Sequence, residues 1–69
     1  MEPPKSPYRM LRLRQVQEMV ALSKSAIYNR IAAGTFPASV NLGGKSVAWV
    51  EAEVIAWIEG RIASSRPNR

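Results

Sequence analysis

Residues 22–31 constrain the fold more than any other stretch of this chain. Leu22, Ser23, Lys24, Ser25, Ala26, Ile27, Tyr28, Asn29, Arg30 and Ile31 read as a short capped helix with one apolar edge. Ser23 is a good N-cap, because its hydroxyl accepts from backbone N–H groups that the first helical turn leaves unpaired. The helix is expected over residues 24–33, with Ile27 and Ile31, four apart, on its buried edge. At 100° per residue, Ser25 and Asn29 fall nearly opposite Ile27, while Tyr28 and Arg30 flank it. Gly34 then supplies the left-handed residue that commonly ends a helix. Phe36 is expected to plug the core, and Pro37 bars further helix. An amphipathic segment precedes this one: Leu13, Val16 and Val20 recur at three- and four-residue steps, with Arg14, Gln17 and Glu18 outward. That first helix is expected to end near Ala21 or Leu22. Two short amphipathic helices across a tight turn are the pattern of a helix-turn-helix.

The remainder of the chain completes a small domain. Val40 and Leu42 alternate with polar neighbours, Gly43-Gly44 permits a tight turn, and Val47 and Trp49 alternate on the return. With a two-residue Gly43-Gly44 loop, Val40 would face Val47 and Leu42 would face Lys45. The apolar set would then share one face, with Lys45 at the tip of a small wing. A third helix is expected over residues 51–63, with Val54, Ile55, Ile58 and Ile62 in one broad apolar stripe and Trp57 beside it. Glu51 and Glu53 suit its positive end and Arg61 its negative end. The fold class is therefore mainly α with a small β-hairpin: a compact winged helix-turn-helix in the order helix, turn, helix, hairpin wing, helix. The domain is expected over residues 8–63, between a flexible N-terminal tail (1–7) and a flexible basic C-terminal tail (64–69). Within it, Tyr8 to Leu11 suits a short extended segment.

Composition narrows the function. The 69 residues allow one small domain, whose core is marginal in size. The chain has no Cys and no His, which removes thiolate ligands and the commonest metal ligand and general base. All five carboxylates are Glu, and the chain is expected to be neither an enzyme nor a user of metal or cofactor. The net charge is +5; residues 1–35 carry +4 of it, from six basic and two acidic side chains. A basic surface around a candidate reading helix is the electrostatic footprint of a nucleic-acid binder, although charge alone fits a soluble basic domain equally well. No apolar run approaches the roughly 20 residues that span a bilayer, and the N-terminus lacks the apolar core of a secretory signal. The expected location is cytoplasmic and nucleoid-associated, in a bacterial or phage-derived protein.

Several segments together resemble the AlpA family of phage-type regulators, which is related to small excisionases and to the DNA-binding domains of MerR-like proteins. They are Leu11-Arg12-Leu13 leading to Val16; Leu22-Ser23-Lys24-Ser25 with Ile27-Tyr28; Gly34 with Phe36-Pro37; Val40-Asn41-Leu42-Gly43-Gly44-Lys45; and Ala48-Trp49 with Glu51, Glu53-Val54 and Trp57-Ile58. Each piece is weak alone; their order and spacing are specific. The likeness spans residues 8–63 and departs at Ala21, where the family often has Gly.

The candidate DNA-binding residues are Arg12, Arg14, Ser23, Lys24, Ser25, Tyr28, Asn29, Arg30 and Lys45. A helix entering the major groove needs short or polar groups on its outward face, which Ser25 and Asn29 provide; Asn pairs in bidentate fashion with adenine. Ala32 and Ala33 are small enough not to block approach. Lys24 and Arg30 suit phosphates or guanine edges, and for Arg30 a solvated charge is an equal alternative. Arg12 and Arg14 bracket the start of the first helix, where side chains and N–H groups clamp a phosphate. Lys45 reaches an adjacent backbone or serves solubility alone. The resemblance implies a backbone contact for Tyr28, against a packing role. Trp49, Trp57 and Phe36 fall on core faces rather than on a base-stacking surface.

The function expected is a sequence-specific double-stranded DNA-binding transcriptional regulator of phage or prophage type. One alternative on the same fold is an excisionase-type architectural factor that bends attachment-site DNA for an integrase. A rival from another class is a protein-binding adaptor. The expected partners are double-stranded DNA, an integrase or another protein, and further copies of the chain on DNA, with no membrane.

Overall fold

The computed structural model describes residues 8–66; the expected N-terminal tail (1–7) and residues 67–69 of the expected C-terminal tail lie outside the described residues, whereas residues 64–65 of that tail are helical. Its elements are β1 (Met10–Leu11), α1 (Leu13–Val20), α2 (Lys24–Ala32), β2 (Val40–Gly43), β3 (Ser46–Val50) and α3 (Glu51–Ser65). The helix-turn-helix, hairpin and third helix stand in the expected order. The two-residue β1 adds a third strand, giving an antiparallel sheet ordered β1-β3-β2 with Leu11 opposite Trp49. The core is Leu11, Val16, Ile27, Phe36, Trp49 and Val54, each from a different segment, with Leu13, Val20, Leu22, Ile31, Val47, Trp57 and Ile58 packed around it. Phe36 plugs this core as expected, and Trp49 is fully buried.

The turn between α1 and α2 is set by one backbone angle. Ala21 caps α1 in the left-handed conformation at φ 59°, the sole non-glycine with positive φ among the described residues. Its N–H donates to the Gln17 carbonyl at 2.8 Å. Left-handed geometry costs an L-residue about 1–2 kcal/mol, because Cβ crowds the following carbonyl. The exposed Ala21 packs no core group in return. Ala21→Gly is therefore expected to stabilise the domain by about 0.5–1 kcal/mol, after the extra unfolded-state freedom of Gly is deducted. Thermal unfolding should show a rise of about 4 °C. An unchanged or lower midpoint would contradict this account of the turn.

α2 begins and ends as its sequence directs. The Ser23 hydroxyl accepts from the Ala26 N–H at 3.1 Å. At the other end, Gly34 at φ 79° closes a Schellman motif: Thr35 N–H reaches the Arg30 carbonyl at 2.8 Å and Gly34 N–H the Ile31 carbonyl at 3.0 Å. Two indoles then fasten the connection to β2. Trp57 Nε1 donates to the Thr35 carbonyl at 2.7 Å, and Trp49 Nε1 to the Pro37 carbonyl at 3.1 Å. The Phe36 ring meets Trp57 edge to face, centroids 4.8 Å apart. This connection is thus held by α3 and β3, which fixes the exit angle of α2.

The hairpin differs from expectation in register. The turn residues are Gly44 and Lys45, and β2 pairs with β3 as Val40 to Ala48, Asn41 to Val47 and Gly43 to Ser46, leaving Leu42 as the extra residue of a bulge. Asn41 causes the shift: its Oδ1 accepts from the Gly43 N–H at 2.7 Å, curling the strand end before the turn. Gly43 and Gly44, at φ 120° and 58°, adopt angles that only glycine takes cheaply. With Val40 opposite Ala48, strand alternation places Val40 on the face away from Trp49. Val40 and Leu42 are accordingly exposed, and the expected single apolar face does not form.

The stripe of α3 is also narrower than expected. Val54 is buried, with Trp57 and Ile58 packed at the core margin, whereas Ile55 and Ile62 are 39% and 46% exposed. The last two turns of the helix run past the core to Ser65, two residues beyond the expected end. At the start of α3, Arg9 secures the junction with β3. Its carbonyl accepts the Glu51 N–H at 2.7 Å, and its guanidinium pairs with Glu51 Oε2 at 3.1 Å.

Candidate nucleic-acid interface

Eight of the nine candidate residues are exposed and Arg30 is half-buried. Six of them, Ser23, Lys24, Ser25, Tyr28, Asn29 and Arg30, ride on α2 or its cap. Ile27 is wholly buried, so the opposite side of α2, with Ser25, Asn29 and Ala32, faces solvent. The side chains of Ser25 and Asn29 make no hydrogen bond within the described residues, which leaves their donors and acceptors free for an incoming ligand. Ser23 is different: its oxygen already accepts from the Ala26 N–H, which leaves the hydroxyl proton and one lone pair.

β3 acts as the common rail of the site. Its Trp49 ring meets the Tyr28 ring edge to face at 6.2 Å, which ties the middle of α2 to the sheet. The ring contact leaves Tyr28 39% exposed, so packing and an outward hydroxyl are compatible. Further along the same strand, the Arg12 guanidinium donates from one nitrogen to the Val47 carbonyl at 3.1 Å. Lys45 stands two residues before Val47, in the hairpin turn. A strand rises about 3.3 Å per residue, so no more than about 7 Å of backbone separates Lys45 from the residue that Arg12 holds.

Arg12 was expected as a free clamp, and the structure gives it a second task. Its backbone N–H donates to Gln15 Oε1 at 2.8 Å while its side chain braces the wing. A guanidinium has five N–H donors, so one bond to Val47 leaves the others available. Arg14 is not drawn into the group: it lies on the exposed face of α1, and no hydrogen bond, ion pair or ring contact among the described residues joins it to α2 or the hairpin. Arg9, absent from the sequence-based set, is a basic residue spent on Glu51. The bracing bonds of Arg12, Trp49 and Trp57 span 35, 12 and 22 residues, so no local pattern could have signalled them.

Among the described residues no group of three or more His, Cys, Asp or Glu could hold a metal ion, and no helix is long and apolar enough to cross a membrane. An open cleft of about 340 Å³ is lined by Arg9, Leu11, Gln15, Glu18, Met19 and Glu51. None of the nine candidate residues lines it.

Comparison with known proteins places the chain in a family. Residues 9–62 match the family described as prophage CP4-57 regulatory protein (AlpA). An Enterobacteria phage P4 protein, named uncharacterized protein ORF88, is 50% identical over 58 residues, covering 84% of this chain and 66% of that protein. The DNA-binding transcriptional activator AlpA of Escherichia coli strain K12 is 35% identical over 63 residues, covering 83% of this chain and 90% of that protein. The chain thus spans just under two thirds of the phage P4 relative and nine tenths of the other.

Proposed function

The chain belongs to the AlpA family of prophage regulatory proteins, and from that premise we propose that it is a sequence-specific double-stranded DNA-binding transcriptional regulator. α2 enters the major groove and the β2–β3 hairpin lies against the backbone. The observation that carries this is the outward face of α2: Ser25, Asn29 and Ala32 are exposed, small or polar, and opposite a fully buried Ile27. Such a face admits close approach to base edges, where Asn offers a paired donor and acceptor matched to adenine. Lys24 and Arg30 on α2, Arg14 on α1, Arg12 at its N-cap and Lys45 on the wing supply the charge that positions the reader. Tyr28 directs its hydroxyl to a phosphate while its ring stays against Trp49.

One domain of this size offers only a few base contacts, so useful specificity calls for several copies on repeated or paired sites. Selection of bound genomic fragments with the purified protein, followed by footprinting, tests the reading. An operator beside a promoter is the expected result. A phased array beside an attachment site would instead make the same fold an excisionase-type bender for an integrase. Failure of folded protein to enrich any fragment at low salt would overturn DNA binding altogether and leave the adaptor reading.

Salt dependence gives a second check. If the five cations Arg12, Arg14, Lys24, Arg30 and Lys45 each neutralise a phosphate, log K should fall against log salt with slope about −4.5 per bound chain. Lys45→Gln should make that slope shallower by about 0.9. An unchanged slope in that variant would remove the wing tip from the interface.

A further inference from the structure

Resting on the reading of α2 as the base-reading helix, we propose that the protein distinguishes adenine from N6-methyladenine at one position of its site. A single methyl group on the DNA then switches binding off. The inference starts from how thinly α2 is equipped. Among its side chains, only Ser25, Tyr28 and Asn29 carry a hydrogen-bond acceptor; Lys24 and Arg30 donate, and Ala26, Ile27, Ile31 and Ala32 do neither. Ser25 offers one hydroxyl, and Tyr28 keeps its ring edge to face with Trp49. Asn29 is therefore the one side chain of α2 with a donor and an acceptor on separate atoms. That pair is what adenine N6–H and N7 require.

The surroundings of Asn29 supply no substitute. Its amide makes no hydrogen bond within the described residues, and the positions three and four residues on, which share its side of the helix, are Ala32 and Ala33. Four residues back stands Ser25, about 6 Å away along the axis, farther than the roughly 3.4 Å between stacked bases. Adenine N6 carries two hydrogens. One pairs with thymine, and the other points into the major groove, where Asn29 accepts it. A methyl group that leaves the base pair intact replaces this second hydrogen. It removes the donor and puts a carbon inside the roughly 2.9 Å between N6 and the amide oxygen, so the amide is pushed off N7 as well. Both bonds are lost together, and no other side chain of α2 restores them.

Fluorescence anisotropy with duplexes of the selected site, each carrying N6-methyladenine at one adenine, tests the inference on the unaltered protein. Affinity should fall about tenfold or more at one adenine, within the range of a bidentate contact, and change little at the others. A 7-deazaadenine at that same position keeps the N6 hydrogens but removes the N7 acceptor, and should also weaken binding. Asn29→Ala should bind the methylated and unmethylated duplexes equally; Ala is the better helix former, and circular dichroism checks that the variant folds. Three results would overturn the proposal: specific binding that tolerates the methyl group at every adenine, a 7-deazaadenine duplex bound as tightly as the natural one, or a methyl effect undiminished in Asn29→Ala. Each of these still leaves specific DNA binding observed, so the proposed function stands. Absence of specific binding to any duplex would instead fail that function, and this inference with it.

Discussion

Replacing Ser25 and Asn29 together with glutamate should abolish specific DNA binding and leave the fold intact. Both side chains are exposed and free of internal hydrogen bonds, so their removal breaks nothing within the domain. Glu is a better helix former than Ser or Asn, and at position 25 it sits in the first turn of α2, where the helix dipole favours an anion. Stability should hold or rise slightly. In a groove walled by phosphates, each carboxylate is opposed by like charge, a cost of several kcal/mol. The bidentate contact proposed for Asn29, about 1–3 kcal/mol, would be lost as well. Affinity should fall at least about 100-fold, each factor of ten being about 1.4 kcal/mol. Gel-shift titration beside thermal unfolding reads both quantities. Unchanged affinity with unchanged stability would place the interface elsewhere on the molecule.

Trp49→Ala should have the opposite profile, losing the fold first and binding with it. The indole is fully buried, donates to the Pro37 carbonyl at 3.1 Å and meets the Tyr28 ring edge to face. Truncating a buried Trp costs about 3–5 kcal/mol through lost contacts and the cavity left behind. A domain of this size holds about 3–10 kcal/mol in total, so most of its stability goes. The melting midpoint should drop by more than about 12 °C, with near-ultraviolet circular dichroism collapsing in step. Trp49→Phe keeps most of the packing but leaves the Pro37 carbonyl unpaired, and should fall between the two. A small drop for Trp49→Ala would mean that β3 is not the rail holding α2 and the wing in register.

These two residues sets illustrate what sequence does and does not convey. The limits of α2 were legible because Ser23, Gly34 and Pro37 act within a few residues of the backbone they shape. The plug at Phe36 and the core role of Trp49 followed from apolar alternation. The hairpin register was not legible, since a single bond from Asn41 to the Gly43 N–H moved the turn by one residue and sent Val40 to the opposite face. Periodicity marked Ile55 and Ile62 as apolar, but only the width of the core decides how many such residues it covers. Arg12 was found as a basic residue near the helix start; its bond to the Val47 carbonyl depends on β1 pairing with β3, and a two-residue strand carries no alternation to announce it. At Ala21 the departure from the family's usual Gly coincides with a left-handed backbone angle, so the strain sits where the sequence differs.

The central claim is that the outward face of α2 reads bases, and single-base discrimination tests it most directly. Affinity for the selected site and for every single-base change in it should be measured with the unaltered protein and with Asn29→Ala. Asn29→Ala should erase discrimination at one position, an adenine worth about 1–3 kcal/mol, and leave the profile elsewhere unchanged. A uniform loss of affinity with the whole profile preserved would make Asn29 a backbone contact and contradict the assignment of α2 as the reader.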